Sequence, residues 1–388
     1  MTAGANPDRI PTRTVQHTQV VTGGSAFLDA LRVDLGSCRS VLRVQFSTFE
    51  GDAAGEALAA LLLDRAADGV DVQFILDGYT DVVADDVYPL TPARRRTVRA
   101  ERSRTSILLA RLVDGGVTVR RVAPAGRWYR YLVYRDHKKM VIIDDRIGYT
   151  GGINISDHNF AWHDFMVRLT GPVVDDLVTD FTSTWSGTTT ALTRQCDDRD
   201  FALNQCPGRP TVMDAALALI EAAERSVVLQ SPYLCGDRVE RALLGAARRG
   251  VHVQILGAAR PNHVHNRVWV RKLRRRLHGP NIEVLGYTPG DGMMHAKMLI
   301  VDDTVAVFGS MNFQEIESLT QKELNVFTRD PSLVADLRAH AAAAAAASTP
   351  TARPVVAFGW WTYRALHWFF RAWTKRLATR PHWRAVYC

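Results

Sequence analysis

Two short stretches of this 388-residue chain carry side chains that could handle a phosphodiester. The first is His137-Lys-Lys139-Met-Val-Ile-Ile-Asp144, and the second is His295-Ala-Lys297-Met-Leu-Ile-Val-Asp302. Both read H-x-K-x4-D, and each leads into Gly-(Gly/Ser)-x-Asn, ending at Asn154 and Asn312. A His and a Lys two apart on an extended strand project from the same face, so both can reach one ligand. Lysine stands out here because arginine supplies 42 of the 48 basic residues. A compact ammonium suits a phosphate oxygen as a point charge. If both stretches face one pocket, it holds two imidazoles, two ammoniums and two Asn amides. Such a set can stabilise a pentacoordinate phosphoryl transition state without a metal. One histidine can attack phosphorus while the other protonates the leaving alkoxide.

The elements that must position these groups also repeat. Ser40–Phe46 reads as a buried strand, Gly55–Ala67 as a helix, and Asp68–Asp77 as a glycine turn and a second strand. Ser226–Pro232, Arg238–Arg248 and Arg249–Leu256 repeat that order, so each half contains a β-α-β unit. The apolar runs after Lys139 and Lys297 fit strands buried on both faces. Glycine-containing strands and turns follow at Ile147–Asn154 and Val305–Asn312. The expectation is a duplicated α/β protein, two mixed or parallel sheets flanked by helices about a pseudo-twofold axis. Its parts are an N-terminal extension (1–24), a first half (25–190), a second half (191–338), an alanine-rich linker (339–353) and a basic aromatic tail (354–388).

Hydrophobic residues at 47% and charged residues at 23% exclude disordered and collagen-like classes. No run reaches the roughly 18 apolar residues of a membrane span. The polar Met1–Arg13 shows no secretory signal. Five scattered cysteines without a CxxC pair argue against a disulfide framework or structural zinc and fit a reducing, cytoplasmic setting. The net charge of +8 is misleading until it is located. Seven basic and no acidic residues follow Thr351, leaving 41 basic against 40 acidic over residues 1–350. That near-neutral body argues against a nucleic-acid groove. The arginine-rich stretch Arg94–Arg104, with Glu101 inside it, reads first as a solvated face and second as a phosphate or lipid contact; Arg271–Arg276 reads the same way. His158, His163, His263 and His265 read mainly as structural, with substrate contact as the alternative.

The paired motifs, together with Tyr149-Thr-Gly-Gly-Ile-Asn-Ile, Asp164-Phe-Met-Val-Arg-Leu-Thr-Gly-Pro-Val-Val, Ser231-Pro-Tyr and Lys322-Glu-Leu-Asn, resemble the phospholipase D superfamily from about Ser40 to about Arg329. Within it the chain looks most like bacterial cardiolipin synthases. The resemblance implies a phospholipase D-like fold and a ping-pong reaction through a phosphohistidine, with no cofactor. It implies His137 as nucleophile and His295 as general acid and then base, or the reverse order. Lys139, Lys297, Asn154 and Asn312 would hold phosphate. Asp164 and Glu323, 27 and 28 residues after the two histidines, would orient the imidazoles, often across the halves. Asp144 and Asp302 complete the catalytic signature, with a structural part beside the site.

The tail adds an expectation about partners. Leu366, Phe369, Phe370, Trp373 and Leu377 share one helical face, and Arg364, Arg371 and Lys375 lie on another. With Trp360 and Trp361, this reads as an interfacial helix drawn to anionic lipid, or else as a helix docked on the body. The leading function is a peripheral phosphatidyltransferase on the cytoplasmic face of the membrane, with a phosphatidylglycerol-type donor. Hydrolytic phospholipase D action is the alternative, followed by a nuclease and by a non-catalytic lipid-binding module. Both motifs lie in one chain, so a monomer suffices for the site.

Overall fold

The two β-α-β units expected from the sequence are present, each inside a larger repeat that starts one strand and one helix earlier. The computed structural model describes residues 18–84, 91–126, 131, 133–193, 200–234, 236–262, 275–290, 292–351, 368 and 372. The first half runs β1 (Gln19–Thr22), α1 (Gly24–Leu35), β2 (Val41–Phe46), α2 (Ala53–Ala67), β3 (Asp71–Asp77), α3 (Pro92–Asp114) and β4 (Thr118–Val122). It continues through β5 (Arg135–Asp136), β6 (Met140–Ile143), β7 (Ile147–Gly151), α4 (Asp157–Phe160), β8 (Phe165–Thr170) and α5 (Val173–Trp185). The second half runs β9 (Asp200–Gln205), α6 (Thr211–Ala222), β10 (Ser226–Gln230), α7 (Asp237–Arg248), β11 (His252–Ala258) and β12 (Ile282–Tyr287). It ends with β13 (Met298–Val301), β14 (Val305–Gly309), α8 (Glu315–Thr320), β15 (Gln321–Thr328), α9 (Pro331–Ala346) and β16 (Ser348–Pro350).

The two sheets have one topology. Strands β1-β8-β7-β6-β2-β3-β4 form the first, and β16-β12-β11-β10-β13-β14-β15-β5 form the second, with β9 also paired to β15. Strands β2, β3 and β4 are parallel, as are β10, β11 and β12. The strands carrying the motifs, β6 and β13, are antiparallel to β2 and β10. Gly69 and Gly250 supply the positive φ that turns each crossover helix back into the sheet. Gln19–Thr22, inside the stretch read as an extension, already pairs with β8. The alanine-rich run forms the end of α9 with Ala341 and Ala344 buried, and Ser348–Pro350 then pair with β12.

Three apolar clusters explain why the motif strands are apolar on both faces. Val141 and Ile143 of β6 pack outward with α1, α2 and α3, and Leu299 and Val301 of β13 pack outward with α6 and α7. Met140, Ile142, Met298 and Ile300 face inward, into one cluster that joins both sheets to α5 and α9. The two motifs therefore lie where the halves meet. The arginine stretch is the N-terminal part of α3, its arginines exposed and Glu101 turned inward and paired with Arg104. Of the second basic cluster, Arg276 pairs with Asp237 and Glu240, while 271–274 lie outside the described residues. The tail positions Trp360, Trp361, Arg364, Phe370, Arg371 and Trp373 and the histidines His263 and His265 also lie outside them. Among the described residues no helix is long and apolar enough to cross a membrane.

Candidate active site

Each motif histidine is held by the opposite half. Strand β5, just before His137, pairs with the start of β15, and the His137 N–H donates to the Lys322 carbonyl at 2.9 Å. In the reciprocal contact the His295 N–H donates to the His163 carbonyl at 2.8 Å. The residue after each of those carbonyls is acidic. Its side chain therefore meets the imidazole whose backbone it flanks. Glu323 lies 3.1 Å from His137 Nδ1, and Asp164 lies 2.6 Å from His295 Nδ1. The orienting pairs implied by the resemblance are thus crossed, first half to second and second to first.

The residues two places before the motif asparagines, Gly152 and Ser310, meet the two carboxylates differently. Gly152 faces Asp164 so closely that a Cβ there would lie 2.3 Å from Oδ1. At the equivalent place Ser310 donates to Glu323 Oε2. Lys297 Nζ lies 3.7 Å from Asp164 Oδ2 and 2.8 Å from His295 Nδ1, and Lys139 Nζ donates to the His137 carbonyl at 2.5 Å. Lys138 points the other way, into a buried network with Asp180 (2.6 Å), Thr184 and Asp136. It anchors α5 rather than facing the site. The Asp77–Arg135 pair at 3.0 Å, with Asp77 also accepting the Asp136 N–H, fixes β5.

Burial sets the charge state of the pocket. It pushes both histidines well below their ordinary pKa, and the neighbouring lysines push in the same direction. It lowers Lys139 to about 7 and Lys297 to about 8, with Glu323 and Asp164 respectively opposing the shift. It raises Asp164, Glu317 and Glu323. Lys139 and His137 act electrostatically on His295, and Lys297 acts on His137, so the two motifs share one field. A phosphodiester anion entering that field would restore the lysine charges and favour a protonated imidazole.

Asn154 and Asn312 are buried at the ends of their motifs. Asp144 and Asp302 lie elsewhere, although they are grouped with the catalytic signature. At a strand rise of about 3.3 Å per residue they stand on the order of 20 Å along the chain from the histidines. Each sits in a left-handed hairpin turn. Asp144 accepts from the N–H groups of Arg39, Ser40 and Val41, and Asp302 from those of Glu224, Arg225 and Ser226. Burial opposes ionisation of both carboxyls, but these donors outweigh it and hold their pKa below the usual range. They tie the motif hairpins to the starts of β2 and β10.

Two groups near the site escaped the sequence reading. Trp162 packs on the His295 ring at 4.8 Å, with Tyr233 on its edge at 6.2 Å. Glu317, five residues after Asn312, is buried, accepts from Asn312 Nδ2 at 2.9 Å and acts electrostatically on His137. Comparing residues five places after each motif asparagine would have singled it out, because the first half has Asn159 there. His158 binds Ser156 at 3.0 Å and meets Trp162 edge to face. His163 stacks with His340 and packs at a tilt against Tyr287. Among the described residues no group of three or more His, Cys, Asp or Glu side chains is placed to hold a metal.

Comparisons with known proteins bear on the chain's family and fold. The model of the family described as "Cardiolipin synthase, PLD-like domain" matches residues 31–185 and 216–344. Cardiolipin synthase A of Pseudomonas putida (strain GB-1) is 30% identical over 344 residues, 84% of this chain and 67% of that protein. Cardiolipin synthase A of Pseudomonas aeruginosa (strain LESB58) is 28% identical over 353 residues, 85% and 67% of the two chains. Phosphatidylserine synthase of Haemophilus influenzae Rd KW20 has the same fold, with a TM-score of 0.69 at 13% identity over 94% of this chain and 95% of that one. Polyphosphate kinase of Porphyromonas gingivalis shares it more distantly, with a TM-score of 0.56 at 12% identity over 83% and 49%. With both halves matched by the family's model, the chain belongs to the family of cardiolipin synthase phospholipase D-like domains and is an enzyme of the phospholipase D superfamily.

Proposed function

We propose that the enzyme is a membrane-associated phosphatidyltransferase of the cardiolipin synthase kind, working through a phosphohistidine. The observation that carries this reading is the crossed pair of buried imidazole–carboxylate contacts, each with a motif lysine nearby. His137 Nε2 attacks the phosphorus of a phosphatidylglycerol; the P–N bond forms as the P–O bond to glycerol breaks. His295, oriented through Nδ1 by Asp164, gives its proton to the departing oxygen. The head-group hydroxyl of a second phosphatidylglycerol then attacks phosphorus and breaks the P–N bond. His295 takes the hydroxyl proton, and cardiolipin leaves. Lys139, Lys297 and the motif asparagines hold the phosphate oxygens, and the basic aromatic tail at 354–388 supplies contact with the membrane surface.

The test is to incubate the purified protein with phosphatidylglycerol vesicles in excess chelator and identify the lipid products by mass spectrometry. Cardiolipin with an equivalent of free glycerol is the expected result. Phosphatidic acid alone would replace transfer with hydrolysis.

A further inference from the structure

The two halves differ in how the motif asparagine is satisfied. In the first half Asn154 Oδ1 accepts from Ser47 Oγ at 2.8 Å and from the Thr48 N–H at 3.3 Å, and Nδ2 donates to Asn159 Oδ1 at 3.4 Å. In the second half the equivalent serine, Ser231, donates instead to the Asn312 carbonyl at 2.6 Å. Pro232 stands where Thr48 does and has no N–H to give. Asn312 Oδ1 is left with no donor among the described residues, and so is Glu317 Oε2. Asn312 and Glu317 are 2% and 8% exposed, so these two acceptors are buried, where an unmade hydrogen bond is costly.

Asn159 and Glu317 are true equivalents. Two residues before each, Asp157 and Glu315 accept an N–H at the start of the matching crossover helix, from Ala54 in α2 and Asp237 in α7. The amide orientation of Asn312 is fixed as well, because Nδ2 donates to Glu317 Oε1. Asn312 Oδ1 is therefore an acceptor, as is Glu317 Oε2 when the carboxyl is ionised, and in that state a phosphate oxygen, itself an acceptor, satisfies neither. A hydroxyl satisfies either. Glu317 also acts electrostatically on His137, and Asn312 closes the second motif, so the pair belongs to the same site.

We infer that Asn312 Oδ1 and Glu317 Oε2 form a hydroxyl-binding subsite that takes the polyol head group of the alcohol acceptor. The inference rests on the transferase reading and gives its acceptor side a recognition element: a hydroxyl of the alcohol other than the one that attacks, as a glycerol head group provides. A simple alcohol spends its only hydroxyl in the attack and has none to offer these acceptors. The first half, with its asparagine Oδ1 already taken by Ser47 and Thr48, has no matching subsite. The active site is thus symmetric in its phosphate chemistry and asymmetric in its recognition of the alcohol.

The full-length protein is given phosphatidylglycerol vesicles with equal concentrations of deuterated glycerol and 1-propanol, and the products are separated by mass. Labelled phosphatidylglycerol, phosphatidylpropanol and phosphatidic acid report polyol, mono-alcohol and water in one sample. Wild type is expected to favour glycerol. Glu317→Leu should lower the ratio of labelled phosphatidylglycerol to phosphatidylpropanol by about ten- to a hundred-fold, through a raised KM for glycerol. Glu317→Gln, which keeps the shape but not the charge, should fall between. An unchanged ratio in both variants overturns the inference, whether total turnover stays or falls, and would leave a structural water or a supporting role toward His137. A wild type that yields phosphatidic acid alone overturns the transferase reading itself, so the two failures are told apart.

Discussion

Asp164→Asn is the substitution that most directly tests the division of labour between the two histidines. The Asp164 carboxylate lies 2.6 Å from His295 Nδ1, with side chains only 2% and 5% exposed. In the step that expels the alcohol, an imidazolium at His295 faces this carboxylate. With charge centres about 4 Å apart and an effective dielectric near 20, their attraction is worth about 4 kcal/mol. An amide retains an ordinary hydrogen bond of about 1 kcal/mol. The remaining ~3 kcal/mol corresponds to a loss of about 10²-fold in the alcohol-expelling step. That loss should depend on the leaving group. Single-turnover release from phosphatidylglycerol should slow by about 10²-fold, whereas release of p-nitrophenolate from phosphatidyl-p-nitrophenol, which needs no proton, should slow by less than about fivefold. Glu323→Gln, acting on the nucleophile His137, should slow both donors alike. Equal losses for both donors in Asp164→Asn would refute the acid role of His295. Rescue of Glu323→Gln alone would exchange the roles of the two histidines.

The lysines give a pH signature. Burial lowers Lys139 to about 7 and Lys297 to about 8, so both are ammonium below those values and lose their protons as pH rises through them. Tungstate inhibition should therefore weaken by about tenfold or more between pH 7 and pH 9, and a flat profile would contradict the assignment of these lysines as the phosphate holders. Asp302→Ala should cost about 1–3 kcal/mol in denaturant unfolding at pH 7 through the loss of three N–H contacts, with substrate KM unchanged. Because the folded pKa of Asp302 is depressed, its contribution is present above the ordinary carboxyl value near 4 and is lost as pH falls through the folded value. Wild type and variant should converge in acid. Gly152→Ala should displace Asp164 from His295 and lower turnover at least tenfold, while Ser310→Ala, which removes only a hydrogen bond to Glu323, should cost less.

What the sequence made legible is what local spacing can encode. A histidine and a lysine two apart on a strand, and a β-α-β pattern seen twice, need no knowledge of the partner half. The orienting carboxylates stood out only through family resemblance, because their partners are 186 and 131 residues away in the chain. Glu317 stayed hidden for another reason. On a six-residue helix among Glu315 and other polar residues it looks like a surface charge, and only the packing of α8 against the site buries it. Lys138 is the opposite case. Beside Lys139 in the motif it invites a phosphate role, yet the segment between β5 and β6 sends its side chain to Asp180. The arginine stretch of α3 kept its solvated outer face, but Glu101 within it turned inward because the helix period places it with Val98, Thr105 and Leu108.

The crossed contacts also bury much of the site's charge between the halves. Neither half alone contains an imidazole with its carboxylate, and neither can anchor the backbone of its own histidine. Docking the halves creates the site, but it also strips water from two lysines, two histidines and three acids. The pKa directions show the consequence: buried bases are pushed down and buried acids up, so the empty site tends toward neutral groups. A phosphodiester brings the one charge the lysines lack a full partner for. Its arrival favours protonated lysines and a protonated imidazole together, which is the state that can expel an alkoxide. An uncharged ester of the same shape would leave the lysines free to lose their protons and the acid unarmed. In the proposed mechanism, selectivity for an anionic phosphate and readiness for the proton transfer then have a single physical origin, the desolvation that comes from pressing two similar halves together.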